Sequence, residues 1–153
     1  MKEIKAPNSY ENEGVPFIFL GGSIEMGEAE EWQNRVVSAL NDCNVTVLNP
    51  RRDNWNTTVK QSIDDPEFFE QVSWELDALW NSNLIVFYFD PNTKAPITLM
   101  ELGLMANENN VIVCCPDGYW RKGNVEIVCE RYEIPLVNSL EEMITSIRLE
   151  IGK

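Results

Sequence analysis

The chain has carboxylates in plenty and no histidine. Ser-His-Asp and Cys-His schemes are therefore closed to it, and proton transfer must fall to carboxylates, Tyr, Lys or Cys. One carboxylate stands out by position. Glu101 lies in DPNTKAPITLMELG, residues 90–103, early in a helix that Pro96 opens. The positive end of a helix dipole favours an ionised carboxylate, and such a group beside a sugar can attack an anomeric carbon. The competing reading is an acid that stabilises its own helix start by less than about 1 kcal/mol.

A second acid lies on the helix PEFFEQVSWELDALW, residues 66–80. Helical spacing places Phe69, Val72, Leu76 and Leu79 on one apolar face with Phe68 alongside. Glu75 then falls on the border of that face and Asp77 nearly opposite it. A carboxylate at a core border must be paired or functional, because burying it unpaired is costly. Glu75 is preferred to Asp77 as a site acid; a flanking glutamate that reaches water is the rival reading.

Three loops could hold a ligand against these acids. GGSIEMG, residues 21–27, is neither a GxGxxG fingerprint nor a Walker loop. Gly21 and Gly22 would let the backbone approach a ligand, and Ser23 offers a hydroxyl or a helix cap. LNPRRDNW, residues 48–55, gathers Arg51, Arg52, Asp53, Asn54 and Trp55. Arg and Trp could stack on a base and Asp or Asn could read its edge, unless the loop is merely a charged surface. PDGYWRKGNVEI, residues 116–127, brings Arg121 and Lys122 before Asn124 at a helix start. That arrangement suits an anion or a sugar hydroxyl, and equally suits ordinary capping.

These loops need a scaffold. Apolar strand-like runs (Pro16 to Leu20, Asn44 to Leu48, Leu84 to Phe89, Val111 to Cys115, and a short one at Leu136-Val137) alternate with helical patterns. Alternation with continuous apolar strands implies a parallel sheet covered on both faces. The expectation is a flavodoxin-like doubly wound α/β fold, five strands in the order 2-1-3-4-5. Ligands then bind at the carboxyl ends of the strands, near the switch in strand order. Residues 1–14 read as a polar lead-in and residues 15–153 as a single domain.

Composition narrows the partners. With 12 basic against 25 acidic residues the net charge is −13, which argues against a nucleic-acid polymer. The apolar runs are too short for a bilayer and the start lacks a leader-like run, so a soluble cytoplasmic protein without a membrane partner is expected. Cys43, Cys114, Cys115 and Cys129 form no CxxC pair and read as free thiols in a reducing compartment, not as metal ligands.

Taken in order, IFLGGSIEMG with WQ, LNPRRDNW, WELDAL, an apolar strand, TLMELG and WRKGNVEIVCERY resemble the nucleoside 2-deoxyribosyltransferase-like family, from about Phe17 to Leu140. The resemblance implies a flavodoxin-like fold, a homodimer or larger homo-oligomer, and transfer of 2-deoxyribose between nucleobases through a covalent sugar–glutamate intermediate. It maps the nucleophile to Glu101 and an assisting acid, aspartate in the family, to Glu75. An aromatic residue near the sugar, often Tyr in the family, maps to Phe19. Asn124 matches an asparagine that reaches the sugar 5′-hydroxyl of a neighbouring subunit. Asp90 and Asn92 stand nearest to the family's base-reading acid. No metal or organic cofactor is implied; the partners are a nucleoside or nucleotide and a free base. Two other functions suit the same segments: hydrolysis of nucleoside 5′-monophosphates at the N-glycosidic bond, and non-catalytic sensing of a nucleotide-derived ligand.

Overall fold

In the computed structural model the structure describes every residue except Glu28, Asn109 and Lys153, and for Met26 the backbone alone. Short, almost wholly apolar segments form the centre. β2 (Phe17–Gly22), β3 (Thr46–Asn49), β4 (Leu84–Tyr88) and β5 (Val111–Cys114) are buried along nearly their whole length. β6 (Leu136–Val137) closes one edge. All pairings are parallel, so each strand must be reached by a crossover.

The sheet has six strands, not the expected five, in the order β1-β3-β2-β4-β5-β6. The five inferred strands keep their order; the extra one, β1 (Lys2–Lys5), lies outside β3. It comes from the segment read as a loose lead-in. KEIK carries one apolar residue among charges, which hides a strand from pattern reading but suits an exposed sheet edge. Ile4 alone of the four enters the core, opposite Leu48. The rest of the lead-in is also tied down: Tyr10 packs edge-on against Phe17 and Trp74, and the Trp74 indole donates to the Asn8 carbonyl at 2.8 Å.

Alternate strand residues feed two cores. Ile18, Leu20, Val86 and Tyr88 meet Trp32 and Val36 of α1 (Trp32–Ala39) and Met143 and Ile147 of α5 (Leu140–Ile151). Phe19, Ile85, Phe87 and Val113 meet the other face. There lie α2 (Pro66–Asn81), α3 (Pro96–Met105) and α4 (Lys122–Arg131). Glu75 on α2 and Glu101 on α3 thus belong to one layer, above the face that Phe19 joins.

The buried face of α2 differs from the inferred one. Gln71, Trp74, Ala78 and Leu79 point inward, while Phe69 is 54% and Leu76 36% exposed. The N-terminal segment explains the rotation, because it supplies an acceptor and an aromatic cover on the Trp74 side. The helix start follows its sequence: Pro66 takes the first position and the Asp65 carboxylate accepts the Glu67 and Phe68 amides at 3.1 and 3.2 Å. Among the described residues no helix is long and apolar enough to cross a membrane.

Candidate active site

The first loop is built by close contact. A Cβ on Gly21 would lie 2.6 Å from the Phe87 ring, and one on Gly22 would lie 2.5 Å from the Tyr88 carbonyl oxygen. Gly22 also has φ +149°, so glycine is required there by the chain itself. Ser23 caps no helix. Its Oγ accepts the Asp90 amide at 3.0 Å and shares a 2.6 Å hydrogen bond with Thr93. Two residues on, the Glu25 carboxylate accepts the Lys94 and Ala95 amides at 3.1 and 2.9 Å. Ala95 is left-handed, φ 45°, and α3 starts at the next residue.

The other loops join this knot. The Lys94 carbonyl accepts the Tyr119 hydroxyl at 2.6 Å and the Trp120 indole at 3.0 Å. Trp55 lies against Gly27, where a Cβ would come within 2.9 Å of its ring. All four loops at the carboxyl ends of β2, β3, β4 and β5 therefore touch, as the fold class implied.

The two acids sit beneath this mouth. Glu101 is 6% exposed, and no hydrogen-bond donor among the described residues reaches its carboxylate. Burial, then the nearby Glu75 charge, push its pKa up to about 8. This corrects the helix-dipole argument. Glu101 is the sixth residue of α3, past the first turn, and desolvation outweighs the dipole. Glu75 is half-buried and its pKa is raised by burial. Gln71 opposes that shift by donating to Glu75 Oε1 at 2.7 Å, as does the Arg52 charge. Asp77 is exposed to solvent, away from the pair.

The remaining residues separate into two groups. Arg51, next to Arg52, is 8% exposed and donates to the carbonyls of Gly27, Ala29 and Glu30 at 2.7–2.9 Å, which fixes the entry to α1. Arg52 pairs with Glu67 at 2.8 Å. Asp53 is exposed and pairs with Lys5. A polar cleft of about 150 Å³ lies among Lys5, Gly27, Asn49, Arg52, Asp53 and Trp55, and neither Glu75 nor Glu101 lines it. Asp90 is buried, with one carboxylate oxygen taken by the Asn92 amide at 2.9 Å and the other by that of Glu30 at 3.4 Å. Asn92 and Asn124 are exposed, and Phe19 is fully enclosed. Lys122 is consumed locally by Asp117, the Cys115 carbonyl and Asn138.

Sequence reading passes over Glu25 and Gln71, and counts Arg51 with a base-binding loop where the structure gives it to the fold. Only Gln71 carried a usable signal: it precedes Glu75 by four residues, the spacing at which helical side chains meet. Among the described residues no group of three or more His, Cys, Asp or Glu is placed to hold a metal ion.

Comparison with known proteins identifies the family of the chain and the likeness of its fold. Residues 16–119 match the family described as "Nucleoside 2-deoxyribosyltransferase like". A comparison with curated proteins gives no match. Among solved structures, a conserved protein from Enterococcus faecalis V583 superposes with a TM-score of 0.63 at 13% identity. The match spans 89% of this chain and 99% of that one, a likeness of fold.

Proposed function

The chain belongs to the nucleoside 2-deoxyribosyltransferase-like family, and from that premise we propose that it transfers 2-deoxyribose between nucleobases by retaining double displacement. The observation that carries the reading is Glu101: a buried carboxyl group that no cation or donor among the described residues reaches, beneath the loops at the carboxyl ends of a parallel sheet, with the charge of a second acid acting on it. A group left so costly in the resting chain is a candidate for chemistry.

In this reading Glu101 attacks C1′ as the base leaves through an oxocarbenium-like transition state. With a pKa near 8 the resting Glu101 holds its proton at neutral pH. That proton passes to Glu75, directly or through a water, and from there to the departing base. An incoming base then takes the sugar from Glu101 and returns the proton. Arg52, Asp53 and Trp55, with the Asp90–Asn92 turn, are assigned to the base. Gly21, Gly22 and Ser23 are assigned to the sugar side, with the enclosed Phe19 packed behind Gly21. The exposed Asn124 is assigned to a neighbouring subunit's substrate in a homo-oligomer. Support for assembly comes from α2 and α3 themselves, which leave Phe69, Trp80, Ile97, Met100 and Leu104 each more than half exposed. Four free cysteines suit a cytoplasmic setting.

One observation favours the hydrolytic reading. Arg121 stacks 4.4 Å over the Trp120 ring, Lys94 stands 5.8 Å from it, and neither meets a carboxylate among the described residues. Two unpaired cations suit a 5′-phosphate. Assays of a deoxynucleoside and its monophosphate, each with and without acceptor base, separate transfer from hydrolysis.

The direct test is mass spectrometry of the protein mixed with a 2-deoxynucleoside. A deoxyribosyl adduct on Glu101 is expected, with Glu101→Ala reducing exchange by at least about 10³-fold while remaining folded. Full exchange by Glu101→Ala would refute the assignment.

A further inference from the structure

The Gln71 amide is spent in an unusual way. Its Nε2 donates twice, to the Pro50 carbonyl at 3.0 Å and to Glu75 Oε1 at 2.7 Å. Its own Oε1 is buried with no donor among the described residues. The orientation of the amide is fixed by chemistry: the Pro50 carbonyl can only accept, so the NH₂ end must face it. A buried acceptor without a donor is costly, and Gln71 is 9% exposed, so water does not readily repair it. An apolar side chain of similar length would fill the same space without that loss.

We propose that Gln71 is a positioning residue for the reaction, a clamp that holds the Glu75 carboxylate in place against the rigid Pro50 turn. The inference rests on the transfer reading above. Gln71 lies one helical turn before Glu75, and its second bond goes to the loop that carries Arg51 and Arg52. Helix and loop are thereby locked at the residue that shuttles the proton. The clamp occupies Oε1 of Glu75. Among the described residues no donor reaches Oε2, which is left as the oxygen that takes the proton from Glu101 and gives it to the base. The charged and titratable groups that act on Glu75 are Arg52 from the loop and Glu101 from α3; Arg52 is itself held by Glu67. The neutral amide thus favours ionised Glu75 without placing a further cation beside Glu101.

The test is Gln71→Met in the full chain, with two readouts. The first is the Glu75 carboxyl titration by carbon NMR, its signal assigned by its loss in Glu75→Gln. The midpoint is expected to rise by about one pH unit when the donor is removed. The second is kinetic: kcat falls about 10- to 100-fold with KM changed less than about threefold, and the pH limb of kcat set by Glu75 moves up with the titration. In a Glu75→Gln background Gln71→Met causes no further loss. Should the methionine variant fail to fold, Gln71→Asn, one methylene shorter, is expected to move both readouts in the same direction. An unmoved titration, or an equal loss of kcat with and without Glu75, overturns the clamp. If the parent chain transfers no sugar, the mechanism fails while the titration still reports whether Gln71 governs Glu75.

Discussion

Arg51 and Glu101 are both charged-type side chains buried at the same end of the sheet, and they are treated in opposite ways. Arg51 has three backbone carbonyls around its guanidinium and joins the loop before α1 to the loop after β3. Among the described residues Glu101 has no donor, and the charge that acts on it is another carboxylate. The first arrangement recovers the cost of burial through hydrogen bonds; the second leaves it standing. The contrast separates two uses of burial: Arg51, with its bonds made, holds the fold, and Glu101, with none made among the described residues, is the group that the proposed function turns toward a substrate.

That comparison can be broken in three ways. The largest effect is expected from Glu101→Gln. A carboxyl whose pKa is higher in the folded chain than its ordinary 4.5 binds its proton more tightly when folded. Its contribution to stability is complete below pH 4.5 and is lost as pH rises to about 8. Glutamine escapes that loss. Urea unfolding should therefore show the variant gaining on the parent by on the order of 1 kcal/mol per pH unit across this window. A difference that stays constant with pH would contradict the burial of an ionisable Glu101. Next comes Arg51→Met, which strips three carbonyls of their donor and should cost about 2–4 kcal/mol at neutral pH. A loss below about 1 kcal/mol would deny Arg51 its structural role. The smallest effect belongs to the exposed Lys5–Asp53 pair. Asp53→Ala should leave the unfolding midpoint within the equivalent of about 1 kcal/mol. Under the proposed function it raises KM for the base, whereas unchanged KM would remove Asp53 from the site.

Much of this was legible in the sequence. The buried parallel strands are short apolar runs bounded by Gly, Pro and Asn, and five of them stand where the pattern placed them. Glu101 stands out in the sequence because ELG follows a proline-opened helix beyond a strand. What escaped depends on contacts between distant segments. The strand at Lys2–Lys5 pairs through its backbone, and backbone pairing leaves little mark in four mostly charged residues. The buried face of α2 was misjudged because the partner of Trp74 lies 66 residues away, at Asn8. Arg51 and Arg52 are identical as letters; one points into a nest of carbonyls and the other along the surface of α2. Only the path of the chain tells them apart.

The Glu25 carboxylate has a mechanical consequence. It grips the two amides just ahead of α3, so the first loop and the helix bearing Glu101 are coupled like a lever and its fulcrum. A ligand that pulls the first loop toward itself necessarily tugs the root of that helix. Under the proposed function, seating the sugar and setting the angle of Glu101 become one movement, transmitted through a side chain that touches neither.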